Sequence, residues 1–326
     1  MLTANPHGRP HMSSLHNGGP GGGLDGGPDG APARTAVGRM KFGDHLCLTY
    51  DNEEERYAVL MAYIRDGLRA DHKIIYLADQ ENPRDVLERL AAEAGKDEDA
   101  LRTAADEGHL AIRPIIEAFM ATGRFDPDET VALLGTEIEL ALVQGYDGVR
   151  ITGETSFSVR GWPGTEHFAE FEHKCQQAFQ APGTRAMAIC QYDRRWFGPD
   201  QLRILESCHD GRVRVDDLYA DGVLTITPTF TPPGLRLTGA VDESTLPGLL
   251  EALHGAAGRA GHLCLDLSGL EFCDLEGLRV LIGAGREGAS LERQVVLRGM
   301  PDYLGLMMRL AGWDSAPGVY LEGAIR

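Results

Sequence analysis

Residues 265–278, LDLSGLEFCDLEGL, read as one β-strand handing over to one α-helix. Residues 262–267 form a short apolar run, the pattern of a strand buried on both faces. From Leu275 to Gly288 the apolar residues recur at helical spacing. Asp274 stands at the junction, where its carboxylate can accept from the first free N–H groups of the helix.

The pattern continues in both directions. Strands are expected over 235–238, 294–297 and 319–321, and helices over 244–259, 275–288 and 301–312. Residues 235–326 are therefore a small α/β unit. Before it, residues 227–234 (TPTFTPPG) hold three prolines, and 228–234 reads as an interdomain linker. Residues 41–227 form a larger unit. Its strands are expected over 45–50, 73–78, 109–113, 149–153 and 186–192. Its helices are expected over 53–68 (capped by Asn52), from Pro83, over 128–144, 164–179 and 199–208. Strands alternating with helices imply a parallel sheet covered on both faces. Short strands over 213–227 read as a closing hairpin. Residues 1–38 are a Gly/Pro-rich tail, expected to be disordered, because GGPGGGLDGGPDGAP (18–32) offers almost no apolar surface to offset ordering.

The 326 residues carry a formal net charge of −18, which argues against direct nucleic-acid binding. No apolar run approaches the roughly 20 residues needed to span a bilayer, and no secretory signal opens the chain, so a cytoplasmic protein without membrane association is expected. The six cysteines include no CxxC pair. Three histidines, His7, His11 and His16, sit in the tail, where a metal role is the lesser reading, and no metal or cofactor is assigned.

LTGAVD (237–242), LDLSGL (265–270), FCDLEGL (272–278) and Gly299-Met300-Pro301 carry a resemblance to the STAS domain of bacterial anti-sigma-factor antagonists. The resemblance implies an output that binds an anti-sigma factor or a related serine-kinase-type regulator through the surface around Asp274, Leu275, Glu276 and Gly277. The family's phosphorylated Ser/Thr would directly follow Asp274. Here Leu275 and Glu276 occupy those positions, so control without phosphorylation at that site is expected, and Ser268 and Ser290 lie elsewhere. In the larger unit, GDHLCLTY (43–50), YLADQENP (76–83), RITGE (150–154), CQYDRRWF (190–197) and Cys208-His209 are similar to the MEDS family of sensory domains, which implies a RecA-like sheet and ligand sensing.

In an open parallel sheet, ligands bind beyond the carboxyl ends of the strands. Tyr50, Glu154, Tyr192 and Asp193 fall near such ends, with His45 and Cys47 earlier on the first strand and His209 after the last helix. These seven are the candidate ligand residues for an unidentified small ligand. Glu154 takes the place of a RecA-type acidic residue, which implies a cation or polar ligand; the alternative is a helix cap or a salt bridge to Arg150. Convergence of Cys47, Cys190, Cys208 and His209 as a metal or redox site is the lesser reading, since they lack CxxC or HxxxH spacing. Arg194-Arg195 beside Trp196 is either an anion grip or a solvated pair. The loop DNEEE (51–55) has none of the glycines, lysine or Ser/Thr of a phosphate-binding loop, so no catalytic residue and no ATPase activity are expected. The reading is a two-domain signalling regulator, with homo-oligomerisation left open. Its rivals are a non-sensing scaffold of a stress-signalling assembly and a nucleotide-using enzyme.

Overall fold

The computed structural model describes residues 33–79, 82–257, 262–289 and 294–322. Most of the expected tail, with His7, His11 and His16, and also Ser290, lies outside the described residues.

The elements of the first unit follow in order. They are β1 (Arg34–Ala36), β2 (His45–Tyr50), α1 (Glu53–Arg69), β3 (His72–Ala78), α2 (Pro83–Ala94), α3 (Glu98–Asp106), β4 (Leu110–Pro114) and α4 (Ile115–Phe119). After them come α5 (Pro127–Val143), β5 (Gly148–Glu154), α6 (Phe168–Phe179), β6 (Ala186–Asp193), α7 (Pro199–Glu206) and β7 (Gly211–Arg214). The seven strands make one parallel sheet in the order β1-β7-β2-β6-β5-β3-β4. One core packs α1–α3 on one face, around Leu60, Ile64, Tyr76 and Leu90; the other face holds Phe119, Phe157, Phe168 and Phe171 from α4, α6 and the segments beside them. This is the expected RecA-like class of sheet.

Local chemistry fixes these boundaries. The Asn52 side chain accepts from the N–H groups of Glu54 and Glu55 at 2.8 and 3.1 Å and so starts α1. Asp126 caps α5 in the same way, with Pro127 in its first turn.

The second unit continues with β8 (Tyr219–Ala220), β9 (Leu224–Phe230), β10 (Pro233–Val241), α8 (Leu246–Ala257), β11 (His262–Cys273), α9 (Leu275–Ala289), β12 (Gln294–Arg298), α10 (Asp302–Ala311) and β13 (Val319–Leu321). Its sheet runs β13-β12-β11-β10-β9-β8, parallel from β10 to β13 and antiparallel from β8 to β10. Leu235, Leu237, Leu265, Leu267 and Leu297 form the centre of its core.

Three expectations need correction. Residues 228–234 are not a linker: they end β9 and begin β10, paired from Phe230↔Pro233 to Leu224↔Gly239. The prolines are tolerated because β8 pairs only with Thr225 and Ile226, which leaves Pro228 on an open edge, while Pro233 is the first residue of its strand. Gly234 is required there, since a Cβ would occupy the space of the Cys264 carbonyl on β11. The residues read as a closing hairpin over 213–227 divide instead: β7 joins the first sheet, and β8 and β9 join the second. Finally, residues 34–37, read as part of the tail, belong to the fold. β1 pairs in parallel with β7, and Ala36 and Val37 are buried.

Candidate functional site

At the carboxyl ends of the first sheet's strands, an arginine fills the cleft. Arg56 lies in the first turns of α1, on the buried stripe with Leu60 and Ile64. Its guanidinium donates to Glu154 Oε1 at 2.6 Å, Tyr76 OH at 2.8 Å, Gln191 Oε1 at 2.8 Å and Glu53 Oε2 at 3.0 Å. Tyr76 OH also donates to Glu154 Oε1 at 2.9 Å, and the Asp79 N–H donates to Oε2 at 3.0 Å. Burial opposes the Arg56 charge, but Tyr76, Tyr50 and Glu154 raise its affinity for the proton above the ordinary value. Glu154 is thus bound to Arg56 and not to Arg150, whose guanidinium reaches the Tyr63 carbonyl and His72. The reason is strand alternation together with depth: both residues face α1, but Arg150 sits two residue pairs deeper in the sheet.

Asp193, the next candidate, is held by Arg195 at 2.6 Å, and Arg195 in turn reaches Glu53 at 2.5 Å. That arginine is therefore paired within the chain, and Arg194 contacts Thr49 Oγ1 at 3.3 Å. Tyr50 presents its ring to Arg56, 5.1 Å from guanidinium carbon to centroid.

A second polar cluster is buried on the opposite face of the same sheet. His45 opens β2, Cys190 lies on β6, Glu172 on α6, and His209 follows α7. His45 Nε2 lies 3.2 Å from Cys190 Sγ and 3.4 Å from Glu172 Oε2. Glu172 Oε2 is 3.6 Å from His209 Nε2 and 3.6 Å from Cys190 Sγ. Tyr192 OH donates to Glu172 Oε1 at 2.5 Å. The outer ring nitrogens are engaged as well: His45 Nδ1 meets Gln176 Oε1 at 3.1 Å, and His209 Nδ1 meets the Leu205 carbonyl at 2.7 Å. His209 Nε2 is buried without a hydrogen-bond partner. Burial, helped by His45, lowers the His209 pKa to about 4. Burial and the Glu172 carboxylate push the Cys190 thiol well above its usual range.

The candidate residues therefore divide between two sites. His45, Tyr192 and His209 converge with Cys190 on one face, while Tyr50, Glu154 and Asp193 belong to the Arg56 network. Cys47 joins neither: its thiol donates to the Gly211 carbonyl at 3.3 Å, and burial pushes it up to about 12. Cys208 stays beside its own helix, 3.5 Å from the Ile204 carbonyl. Sequence reasoning missed Glu172, Gln176 and Arg56. Glu172 had a legible signal, since it shares the buried stripe Phe168, Phe171, Cys175 and Phe179 of an amphipathic helix. A carboxylate on an apolar stripe needs buried partners.

In the second unit, Asp274 caps α9, accepting from the Gly277 N–H at 2.7 Å. Leu275 is 48 % exposed and Phe272 is 50 % exposed, one on each side of that cap. Glu276 points to solvent and pairs with Arg279 at 2.7 Å. Gly277 packs so closely on β10 that a Cβ would collide with Val241.

Comparison with known proteins identifies both units. The model of MEDS, the methanogen/methylotroph DcmR sensory domain, matches residues 44–210, and the model of the Mlab STAS domain matches residues 225–322. No curated protein matches the chain. Among solved structures, a KaiC-like protein from Pyrococcus horikoshii OT3 is similar at 16 % identity and a TM-score of 0.40, over 58 % of this chain and 80 % of that one.

Proposed function

The chain belongs to the MEDS sensory-domain family and carries a STAS domain after it, and from that premise we propose that it is a cytoplasmic signalling regulator whose sensory state is passed to a STAS output that binds an anti-sigma factor or a related serine-kinase-type regulator. The observation that carries the output half is the exposed pair Phe272 and Leu275 flanking the Asp274 cap. Two large apolar side chains in solvent beside a rigid helix start supply an anchor for a protein partner. The same surface offers no hydroxyl at Leu275 or Glu276, so binding is controlled without phosphorylation there. Among the described residues no helix is long and apolar enough to cross a membrane.

The cleft of the first unit is read as non-catalytic. Three glutamates occupy the first turn of α1, and Arg56 already neutralises Glu154, the acidic side chain at the end of β5. The test of the output is affinity capture with full-length protein carrying either wild-type Leu275 or Leu275→Arg. The wild type recovers a protein with an anti-sigma or serine-kinase-type fold, and the variant loses it. Recovery of that partner by the variant at wild-type yield overturns the assignment of this surface.

A further inference from the structure

We propose that His45, Glu172, Cys190 and His209 form a binding site for a divalent transition-metal ion of the zinc class, buried inside the first unit. Their four ligand atoms lie within 4.8 Å of one another. A tetrahedral zinc ion, at about 2.0–2.1 Å from nitrogen or oxygen and about 2.3 Å from sulfur, holds its ligand atoms about 3.3–3.6 Å apart. Four of the separations here are 3.2, 3.4, 3.6 and 3.6 Å. A small shift of side chains already aimed at one point completes the geometry.

Proton placement points the same way. Gln176 Nε2 donates to Asp210 Oδ1 at 2.6 Å, which fixes its amide so that Oε1 faces His45 Nδ1. An amide oxygen only accepts, so the hydrogen of neutral His45 is on Nδ1. The Leu205 carbonyl fixes His209 in the same tautomer. Both Nε2 lone pairs are therefore directed inward, toward a carboxylate oxygen that also has only lone pairs. Tyr192 spends its hydrogen on the other oxygen, Oε1. The Cys190 thiol brings the only hydrogen among the four ligand atoms, and His209 Nε2 is left without a partner. A cation answers all of these lone pairs at once.

The ligand set selects the ion. Two imidazoles with one thiolate and one carboxylate suit zinc, and this mixture of soft and borderline donors disfavours magnesium and calcium. Cys190 gives up its proton to solvent on binding. Two anionic ligands then balance the charge of a divalent ion, leaving a neutral centre suited to full burial. Each imidazole is oriented by an outer acceptor, as metal-bound histidines usually are. An apolar cavity of about 40 Å³ adjoins the cluster, with His45, Glu172, Cys190 and Cys175 in its wall beside Phe119, Phe157, Phe168 and Phe171. The site lies wholly within the first unit, so it does not depend on which partner the second unit binds.

The experiment uses full-length protein. Elemental analysis after growth in zinc-supplemented medium is expected to give about one zinc per chain. Metal-stripped protein titrated with Co(II) alone is expected to develop a thiolate-to-cobalt charge-transfer band. Cys190→Ser abolishes that band, while Cys175→Ser, which changes a buried thiol in the same cavity wall, retains it. His209→Ala weakens cobalt binding at least tenfold. Circular dichroism confirms that each variant is folded, and the wild-type measurements stand even where a variant is not. The proposal is overturned if the wild type carries no stoichiometric metal and shows no thiolate band with cobalt. It is equally overturned if a band survives in folded Cys190→Ser.

Discussion

At the scale of single residues, the informative positions are charges placed where the pattern calls for apolar side chains. Arg56 and Glu154 are both buried, 2.6 Å apart. Removing one partner of a buried pair leaves the other uncompensated, so Arg56→Met is expected to destabilise the protein by about 3–5 kcal/mol, read from urea unfolding. Adding Glu154→Gln removes the stranded carboxylate and returns part of that loss. A double variant no more stable than the sum of the two singles predicts would show that the pair is not coupled. The same arginine bears on catalysis. With Glu154 engaged and Glu53, Glu54 and Glu55 at the helix start, a triphosphate meets negative charge where a phosphate loop would offer N–H groups. Steady-state ATPase assays with magnesium should stay at the buffer rate; turnover abolished by Glu154→Gln would contradict this.

At the scale of elements, α9 separates interactions that matter from interactions that only look suggestive. Asp274 satisfies a helix-start N–H at 2.7 Å, so Asp274→Ala is expected to cost about 1 kcal/mol and Asp274→Asn much less. Glu276 and Arg279 are both more than half exposed, so Glu276→Ser should change stability by less than about 0.5 kcal/mol. Chemical denaturation of the three variants checks the ordering. The cap and the helix of this unit were legible, because Asp274 and a change of period mark the same boundary, but the strand was expected to end at Leu267 and β11 runs on to Cys273. β2, α1, β3, α5 and β6 were legible within a residue or two for similar reasons. The hairpin of β9 and β10 was not: three prolines in eight residues signal a break locally, and only the short partner β8 shows why an edge strand accepts them. The three-residue β1 carries too little pattern to be read at all, since β7, far along the chain, is what makes it a strand. The candidate site was half legible. His45, Cys190 and His209 drew attention as residue types, but the sheet face that joins them depends on a register between β2 and β6 that no local spacing encodes.

At the scale of the whole molecule, the first question is where the folded chain begins. Val37 is 1 % exposed and belongs to the first core, whereas residues 18–32 have no apolar period. Deleting 1–32 should leave the thermal midpoint within about a degree or two, while deleting 1–40 should lower it clearly, because the second truncation removes core and edge strand together. The second question is whether the two units behave as one. No flexible connection separates them. Val215 is buried in the first core, and three residues later the Leu218 N–H already bonds the Ile226 carbonyl of the second sheet at 2.8 Å. Asp217 between them accepts from Arg214 at 2.7 Å and from Thr227 at 2.6 Å. Phe230, at the tip of the second unit's hairpin, is buried in the first unit's core, and its carbonyl accepts from the Asn52 side chain at 3.3 Å. The residue that caps α1 therefore also holds the STAS hairpin, a direct contact between the two units. Truncating a buried phenylalanine costs about 3–5 kcal/mol, and here the loss falls on the junction. Wild-type protein is expected to unfold in urea with coincident transitions, whether followed by Trp313 in the second unit or by Trp162 and Trp196 in the first, using single-tryptophan variants. Phe230→Ala should separate the two curves and shift the first-unit midpoint downward. Separate transitions already present in the wild type would mean that the units are merely tethered, and the sensory signal would then need another route to the helix that starts at Leu275.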